Sequence, residues 1–309
     1  MKIVLNTRVQ ITGQFLRPSI RLLVCAVIGL CTALPLHAAT AETLSLGDGL
    51  YAFRYDGQQS LFLVGDDRVI ATDPLSAEAA QAYKSAVRAV TKKPITHVAY
   101  TSSFFDRVPG GRELAGRRAE FVAQENCKSN LLATPHPDAM LPTQTYTDKM
   151  SIDAGDASLD LYYFGQSYGT CLSVMIFKPA NVMLVHGLVT PPAAKLPDDP
   201  TLANYYLHNL VPFFVYVEEL AAAEGVEQVV GSVAVDDDET LASVALITEQ
   251  RELWDTLLRI VETEYNKGTS ARAIPKKADM TPLEGYAGYD PRHVEIMMRR
   301  IYSLYRIGR

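Results

Sequence analysis

No run of lysine and arginine interrupts this sequence, and its 35 acidic residues outnumber 29 basic ones. Nucleic acid is therefore not an expected partner. The chain has no CxxC pair and no cysteine–histidine cluster with zinc-finger spacing. It also lacks a glycine-rich phosphate loop, a paired-carboxylate motif, a Ser-His-Asp arrangement and an internal repeat at solenoid periods. Cysteine is sparse, with four in all. Cys25 and Cys31 fall in an N-terminal segment expected to be removed. Cys127 and Cys171 remain, 44 residues apart. An oxidising compartment permits a disulfide, but two isolated cysteines read first as two separate buried thiols.

The N-terminus sets the compartment. Lys2, Arg8, Arg17 and Arg21 form a basic lead with no acid before Glu42, and an apolar run follows from Leu22 to about Leu36. The run falls short of the roughly 20 residues that span a bilayer. It ends in Pro35 and small residues, and cleavage is expected near Ala38 or Ala41. This is the layout of a secretory signal peptide over residues 1–41. The expectation is a periplasmic or secreted protein with no membrane anchor after cleavage. Loss of the leader removes four basic residues and no acids, taking the net charge from −6 to −10. Residues 42–309 fit one large α/β domain.

Along that domain, Gly49–Arg54, Ser60–Val64 and Arg68–Thr72 read as strands separated by Asp-Gly and Asp-Asp turns. Ala77–Val90 has helical spacing and stops before Pro94. Ile95–Thr101 reads as a strand, Gly111–Arg117 as a helix, Ala119–Ala123 as a strand and Gln124–Leu132 as a helix. Residues 133–147 read as an irregular loop. Strands are expected at Met150–Ile152, Leu159–Tyr163, Cys171–Phe177 and Val182–His186. A proline-rich loop, Thr190–Pro200, leads to a helical region from about Leu202 to Glu224. After a strand at Gln228–Val230, Asp236-Asp237-Asp238 is placed to cap a helix running from Glu239 to about Asn266. A last helix spans Pro291 to about Arg306.

Thr101-Ser-Ser-Phe-Phe-Asp-Arg-Val-Pro-Gly-Gly111, placed after an apolar strand, is the most informative stretch. It resembles the metal loop of the metallo-β-lactamase superfamily, Thr-His-x-His-x-Asp-His followed by a glycine pair. Val69-Ile-Ala-Thr-Asp73 is similar to the strand that ends in the family's characteristic aspartate, though Pro74-Leu75 stand where a small residue and glycine are usual. The resemblance covers most of the chain from about Leu46. It implies an α/β fold, a four-layer αββα sandwich with C-terminal helices. Residue by residue, it places Ser102, Phe104 and Arg107 on three histidine positions and keeps Asp106. Tyr168 falls on the next histidine, Gly187 on the bridging aspartate and Ser232 on the last histidine. His186 lies beside that set.

Of the seven positions, only Asp106 keeps its usual residue type. Zinc needs about four good donors in fixed geometry. The expectation is therefore a pseudo-hydrolase without a metal cofactor, its cleft ringed by Ser102, Phe104, Asp106, Arg107, Tyr168, His186, Gly187 and Ser232. Its partner is a small molecule, held through Arg107 and hydroxyls, or a periplasmic protein. Zinc enters only under an alternative, a hydrolase with a relocated metal using Asp106 and His186. A third reading is a structural subunit of a periplasmic complex. Asp106 is expected to bind backbone N–H groups, and Arg107 either to pair with an acid or to lie on the surface. His186 is expected to be a hydrogen-bonded core residue. His97, His136, His208 and His293 sit apart. A nucleophilic Ser102 or Ser232 would need a base beside it, and the sequence names none. Tyr205, Tyr206, Phe213, Phe214 and Tyr216 line a mouth, form an oligomer contact or, the expected case, pack as a buried helix face.

Overall fold

The computed structural model describes residues 40–308, so the expected leader lies outside the described residues up to residue 39. One sheet holds seven strands in chain order: β1 (Ala41–Gly47), β2 (Leu50–Tyr55), β3 (Gln58–Val64), β4 (Val69–Thr72), β5 (Ile95–Ala99), β6 (Glu120–Gln124) and β7 (Gln144–Tyr146). The first four run antiparallel, and β4 to β7 pair in parallel. The second sheet is built from β8 (Lys149–Asp153), β9 (Ser158–Tyr162), β10 (Val174–Lys178), β11 (Val182–Val185), β12 (Gln228–Val230) and β13 (Ala242–Ser243). Its order is β13-β12-β11-β10-β9-β8. There β11 and β12 are parallel, with Leu184 opposite Val230.

Strand side chains alternate between faces, and that period builds the layers. Leu50, Ala52, Leu61, Leu63, Ile70, Ala99 and Val122 of the first sheet meet Leu159, Leu161, Met175, Phe177, Val182, Leu184 and Val230 of the second in one buried cluster. The intervening residues face outward and collect helices. Phe53, Phe62, Val98 and Phe121 pack under α1 (Ala77–Val90), α2 (Gly111–Ala115) and α3 (Glu125–Ala133). Val174, Ile176, Met183 and Val229 pack under α4 (Leu207–Glu224), α5 (Ala245–Asn266), the short α6 (Ile274–Lys277) and α7 (Pro291–Ile307). The result is the four-layer αββα sandwich with C-terminal helices. No described helix is long and apolar enough to cross a membrane.

α1 shows how the sequence produces this packing. Ser76 caps it by accepting a hydrogen bond from the Ala79 N–H at 3.1 Å. Ala79, Ala80, Tyr83 and Val87 form its buried stripe. The Tyr83 ring stacks on Phe53 at 4.4 Å, and its hydroxyl donates to the Leu61 carbonyl.

Four expectations differ from the structure. The loop over 133–147 contains β7, an edge strand of three residues, too short to show a side-chain period. The helix expected from Leu202 begins at Leu207, after a turn that seats Tyr205. Asp236-Asp237-Asp238 caps no long helix. It opens a single 3₁₀ turn and β13, and α5 starts later, at Ala245. The reason is Arg54, buried on β2, which recruits Asp237 and Thr240 along with Glu42 and Gln59. A buried guanidinium demands anionic and polar partners more strongly than a helix end demands a cap.

The fourth difference is Cys127 and Cys171. They are not separate thiols but a disulfide, with Cα atoms 5.3 Å apart, joining α3 to the segment before β10. Both sit in the buried layer beneath the first helix group, a proximity that 44 residues of sequence separation conceal. Closing a loop of that length restricts the unfolded chain. Replacing both cysteines by serine is expected to lower stability by roughly 2–4 kcal/mol. Urea denaturation with and without reductant checks this; an unchanged midpoint would show that the link contributes nothing.

Candidate functional site

The site is assembled where strands of both sheets end. β4 delivers Asp73, whose backbone enters the left-handed region at φ 25°, followed by Leu75 at φ 73°. Leucine is strained there, and the Leu75 N–H is held by the Arg107 carbonyl at 2.9 Å. β5 delivers the loop 100–110. Asp73 accepts the Thr101 backbone N–H at 2.8 Å and the Thr101 hydroxyl at 2.6 Å, fixing the start of that loop. Gly110 closes it at φ 94°. A Cβ there would lie 2.3 Å from the Ser76 carbonyl oxygen, so the loop can press onto the start of α1 only with glycine.

Asp73 is 1% exposed. Burial pushes its carboxyl up to about 6, against the pull of the Arg107 charge and the two Thr101 hydrogen bonds. Arg107 is itself only 3% exposed, which removes the surface alternative. Its Nη1 donates to the Gln59 carbonyl at 3.2 Å. Its Nε lies 3.7 Å from the Asp106 carboxylate and makes no hydrogen bond. The Asp106 side chain is 54% exposed and caps no backbone N–H; it faces the cleft instead.

Asp106, Arg107, Tyr168, His186, Gly187 and Ser232 line one cavity of about 280 Å³. Phe104 stands behind it, its ring edge-on to Tyr168 at 5.0 Å, and lines a neighbouring cavity of about 430 Å³. Ser102 is buried beneath the loop, where its hydroxyl accepts the Phe104 N–H at 3.4 Å. It lines neither cavity.

His186 follows β11 and Ser232 follows β12. Leu184 and Val230 pair across these parallel strands, so the residues two positions further on fall side by side. The His186 Nδ1 and the Ser232 hydroxyl are 2.6 Å apart. His186 is 3% exposed, and its Nε2 has no partner. Burial first, then the positive Arg107, holds its imidazole well below the usual value, so the ring is neutral at neutral pH. An imidazole that the sequence did not place beside Ser232 is thus in hydrogen-bond contact with it.

Gly187 has φ 71°, and a Cβ on it would lie 2.3 Å from the Tyr168 ring. Tyr168 therefore fills the space that a side chain at 187 would use. Its hydroxyl is pushed above the usual phenol range, by burial first and by Asp106 next. Tyr168 packs in turn on Tyr205 at 4.9 Å, and Tyr205 on Trp254 at 5.3 Å. The aromatic group from the sequence therefore divides: Phe213 and Phe214 are core, Tyr205 walls the cleft, and Tyr216 is half exposed.

Sequence reasoning missed the opposite wall. Lys195, Asp198, Asp199 and Asn204 come from the proline-rich segment and the turn after it, and Gln250 and Trp254 from α5. Gln250 holds the loop by accepting the Lys195 N–H at 2.9 Å and donating to its carbonyl at 3.1 Å. Gln250 and Trp254 are four residues apart on one helix face, and that spacing was the available signal.

The architecture is that of the metallo-β-lactamases. A metallo-β-lactamase from Pontibacter korlensis superposes with a TM-score of 0.58 at 15% identity, over 70% of this chain and 99% of that one. One from Hirschia baltica gives 0.57 at 14% identity, over 69% and 97%. A double mutant of the sec-alkyl sulfatase PisA1 gives 0.67 at 14% identity, over 87% of this chain and 50% of that one. No protein-family model matches the chain, and no curated protein matches its sequence. Likeness at such identities establishes the fold alone.

That fold implies a metal centre, and the residues here do not fit one. Among the described residues no group of three or more His, Cys, Asp and Glu side chains could hold a metal ion. Phe104 and Gly187 offer no donor, the Tyr168 ring occupies the space beside Gly187, and a buried guanidinium would repel a cation.

Two outcomes follow from this geometry. A folded-state carboxyl at about 6, against 3.8 unfolded, binds its proton more readily in the folded chain. The Asp73 charge therefore costs stability above about pH 6, and the cost is relieved as pH falls towards 4. Relative to Asp73→Asn, which cannot titrate, the wild type is expected to gain roughly 3 kcal/mol across that fall and to stay flat on either side. Denaturation of both proteins at a series of pH values measures the slope, and a slope of opposite sign would refute the assignment.

Gly187→Ala is expected to cost roughly 1–3 kcal/mol through backbone strain and the clash with Tyr168. Combining it with Tyr168→Ala should remove the steric part and leave the strain. A double-mutant cycle by thermal denaturation should give a coupling above about 0.5 kcal/mol, and simple additivity would show that the ring does not fill that space.

Proposed function

We propose that the protein is an exported, metal-independent binder of a small polar organic molecule, built on the metallo-β-lactamase scaffold. The observation that carries this reading is the convergence of six of the eight candidate residues on one concave cavity. Its volume of about 280 Å³ lies near the lower end for ligand pockets. Tyr168, Tyr205 and Trp254 offer apolar surface, while Arg107, Lys195 and Asn204 offer donors. An enclosed wall of this kind suits a small molecule better than a protein surface. The sec-alkyl sulfatase likeness is compatible with a ligand that joins an apolar body to a polar head. The alternative metal site on Asp106 and His186 is disfavoured, since His186 gives Nδ1 to Ser232 and its Nε2 is sealed from solvent. The basic lead, short apolar run and small residues near Ala38 and Ala41 support export.

The chain contains one tryptophan, and it lines the cleft. Trp254 emission therefore reports occupancy. Protein recovered from the periplasm is expected to begin near Ala39 or Glu42 by intact mass and to carry no stoichiometric zinc, iron or manganese. Trp254 emission should respond to small organic compounds found by thermal-shift screening and not to zinc. Arg107→Lys keeps the buried charge but loses the planar fork, and should weaken that binding on the order of tenfold. One tightly held metal per chain, with an emission response to zinc alone, would overturn the reading.

A further inference from the structure

We propose that Ser232 is a nucleophile for acyl transfer from small esters, with His186 as its base, so that the cleft has a chemistry independent of metal. The inference rests on the reading of the cleft as a small-molecule site and goes beyond it. Four observations carry it. The Ser232 hydroxyl and His186 Nδ1 are 2.6 Å apart, within reach for proton transfer. Both residues line the cavity, each only 3% exposed. The serine is held from behind: the Gln59 N–H donates to the Ser232 carbonyl at 2.9 Å, and the Gln59 side-chain amide donates to the Gly231 carbonyl at 3.0 Å. The imidazole makes no other hydrogen bond, and its plane is set by Phe104 and Tyr168, at 6.1 and 5.8 Å. A buried histidine serving structure alone would be expected to satisfy both ring nitrogens.

The steps balance. As the Ser232 oxygen attacks the ester carbon, its proton passes to His186 Nδ1 and the carbonyl π pair moves onto oxygen. The positive Arg107, on the same cavity wall, favours that developing negative charge. Collapse breaks the bond to the alcohol oxygen, which leaves with the proton from His186, and an acyl-Ser232 remains. Water then attacks the acyl carbon, giving its proton to His186. The Ser232 oxygen leaves and recovers that proton, and the carboxylic acid is released. The substrate class is an ester small enough for a cavity of about 280 Å³, with an apolar part against Tyr205 and Trp254.

The test uses the mature full chain with two probes, p-nitrophenyl acetate and phenylmethylsulfonyl fluoride. The expected result is a burst of about one p-nitrophenolate per chain and a single sulfonyl adduct, mapped by peptide mass spectrometry to Ser232. Ser232→Ala should abolish both, and His186→Gln should slow them at least about 100-fold. The adduct map is made on the unmodified sequence, so it stands even where a variant folds poorly. No adduct, an adduct elsewhere, or a rate unchanged by His186→Gln overturns the proposal. The unreactive phenylmethanesulfonamide separates the two readings. If it shifts Trp254 emission while Ser232 stays unlabelled, the nucleophile fails and the binding cleft stands. If it leaves the emission unchanged and no residue is labelled, both readings fall.

Discussion

A guanidinium withdrawn from water is costly unless its charge is balanced and its N–H groups find acceptors. Arg107 is 3% exposed, and the cleft is arranged around meeting that demand. Its Nη1 takes the Gln59 carbonyl, its charge is opposed by Asp73 below and Asp106 at the rim, and its own carbonyl holds the strained Leu75. The compensation is incomplete, since Nε makes no hydrogen bond and the Asp73 carboxyl still sits near 6. Positive charge thus remains on the cavity wall, and, after burial, it adds to what holds His186 below its usual value. One buried cation therefore couples the state of the acid beneath the loop to that of the imidazole across the cleft.

A metal centre of the kind this fold implies would tie several loop ends to one ion. Here the same loop ends are tied to each other. Gln59 links Arg107 to Gly231 and Ser232. Ser232 links to His186, and Tyr168 closes over Gly187 and leans on Phe104. The Ser173 N–H reaches the Thr101 carbonyl at 2.8 Å, and the disulfide anchors the segment that carries Tyr168. Each contact is modest alone, about 0.5–1.5 kcal/mol for a hydrogen bond. Together they tie the loop ends of the αββα frame to one another.

The frame was legible because it is written in local periods. α1 was readable from Ala77 to Val90, and the parallel strands from runs such as Val182–Val185, because burial on both faces leaves uninterrupted apolar residues. The positions of Asp106, Arg107, Tyr168, His186, Gly187 and Ser232 followed from the resemblance of strand ends, and the structure brings these six to one cavity. What stayed hidden depends on contacts between distant segments. The sequence separates Cys127 from Cys171 and His186 from Ser232 by 44 and 46 residues. Only the pairing of β11 with β12, or of α3 with the segment before β10, closes those gaps. Asp237 misled for the same reason: a cluster of acids reads as a helix cap until Arg54, 183 residues away, is placed beside it.

The cleft draws its residues from two sources of different rigidity. His186, Gly187 and Ser232 sit just beyond the ends of paired strands, where sheet register fixes them, and Asp106 and Arg107 sit on the loop after β5 that Asp73 and Gly110 hold in place. Lys195, Asp198, Asp199 and Asn204 sit on a connecting segment that Gln250 holds by two hydrogen bonds to a single residue, Lys195. Registered strand ends can hold a reacting geometry, because shifting one of them requires the sheet to slip. The segment is also tied by the Leu196 N–H to the Ala287 carbonyl at 3.0 Å and by the Gly169 N–H to the Asn204 carbonyl at 2.8 Å, with Leu196 and Leu202 in the core, so only its exposed Asp198 and Asp199 can change at little cost. The division puts His186, Gly187 and Ser232 on registered strand ends and the Lys195–Asn204 side chains on a connecting segment that lines the same cavity. It also explains why the two walls differ in how they are built. One is crowded with glycines, a buried cation and an aromatic ring in van der Waals contact. The other carries three carboxylate or amide side chains and a lysine, already paired with Asp198 at 2.8 Å, that an incoming ligand can re-pair without disturbing the fold.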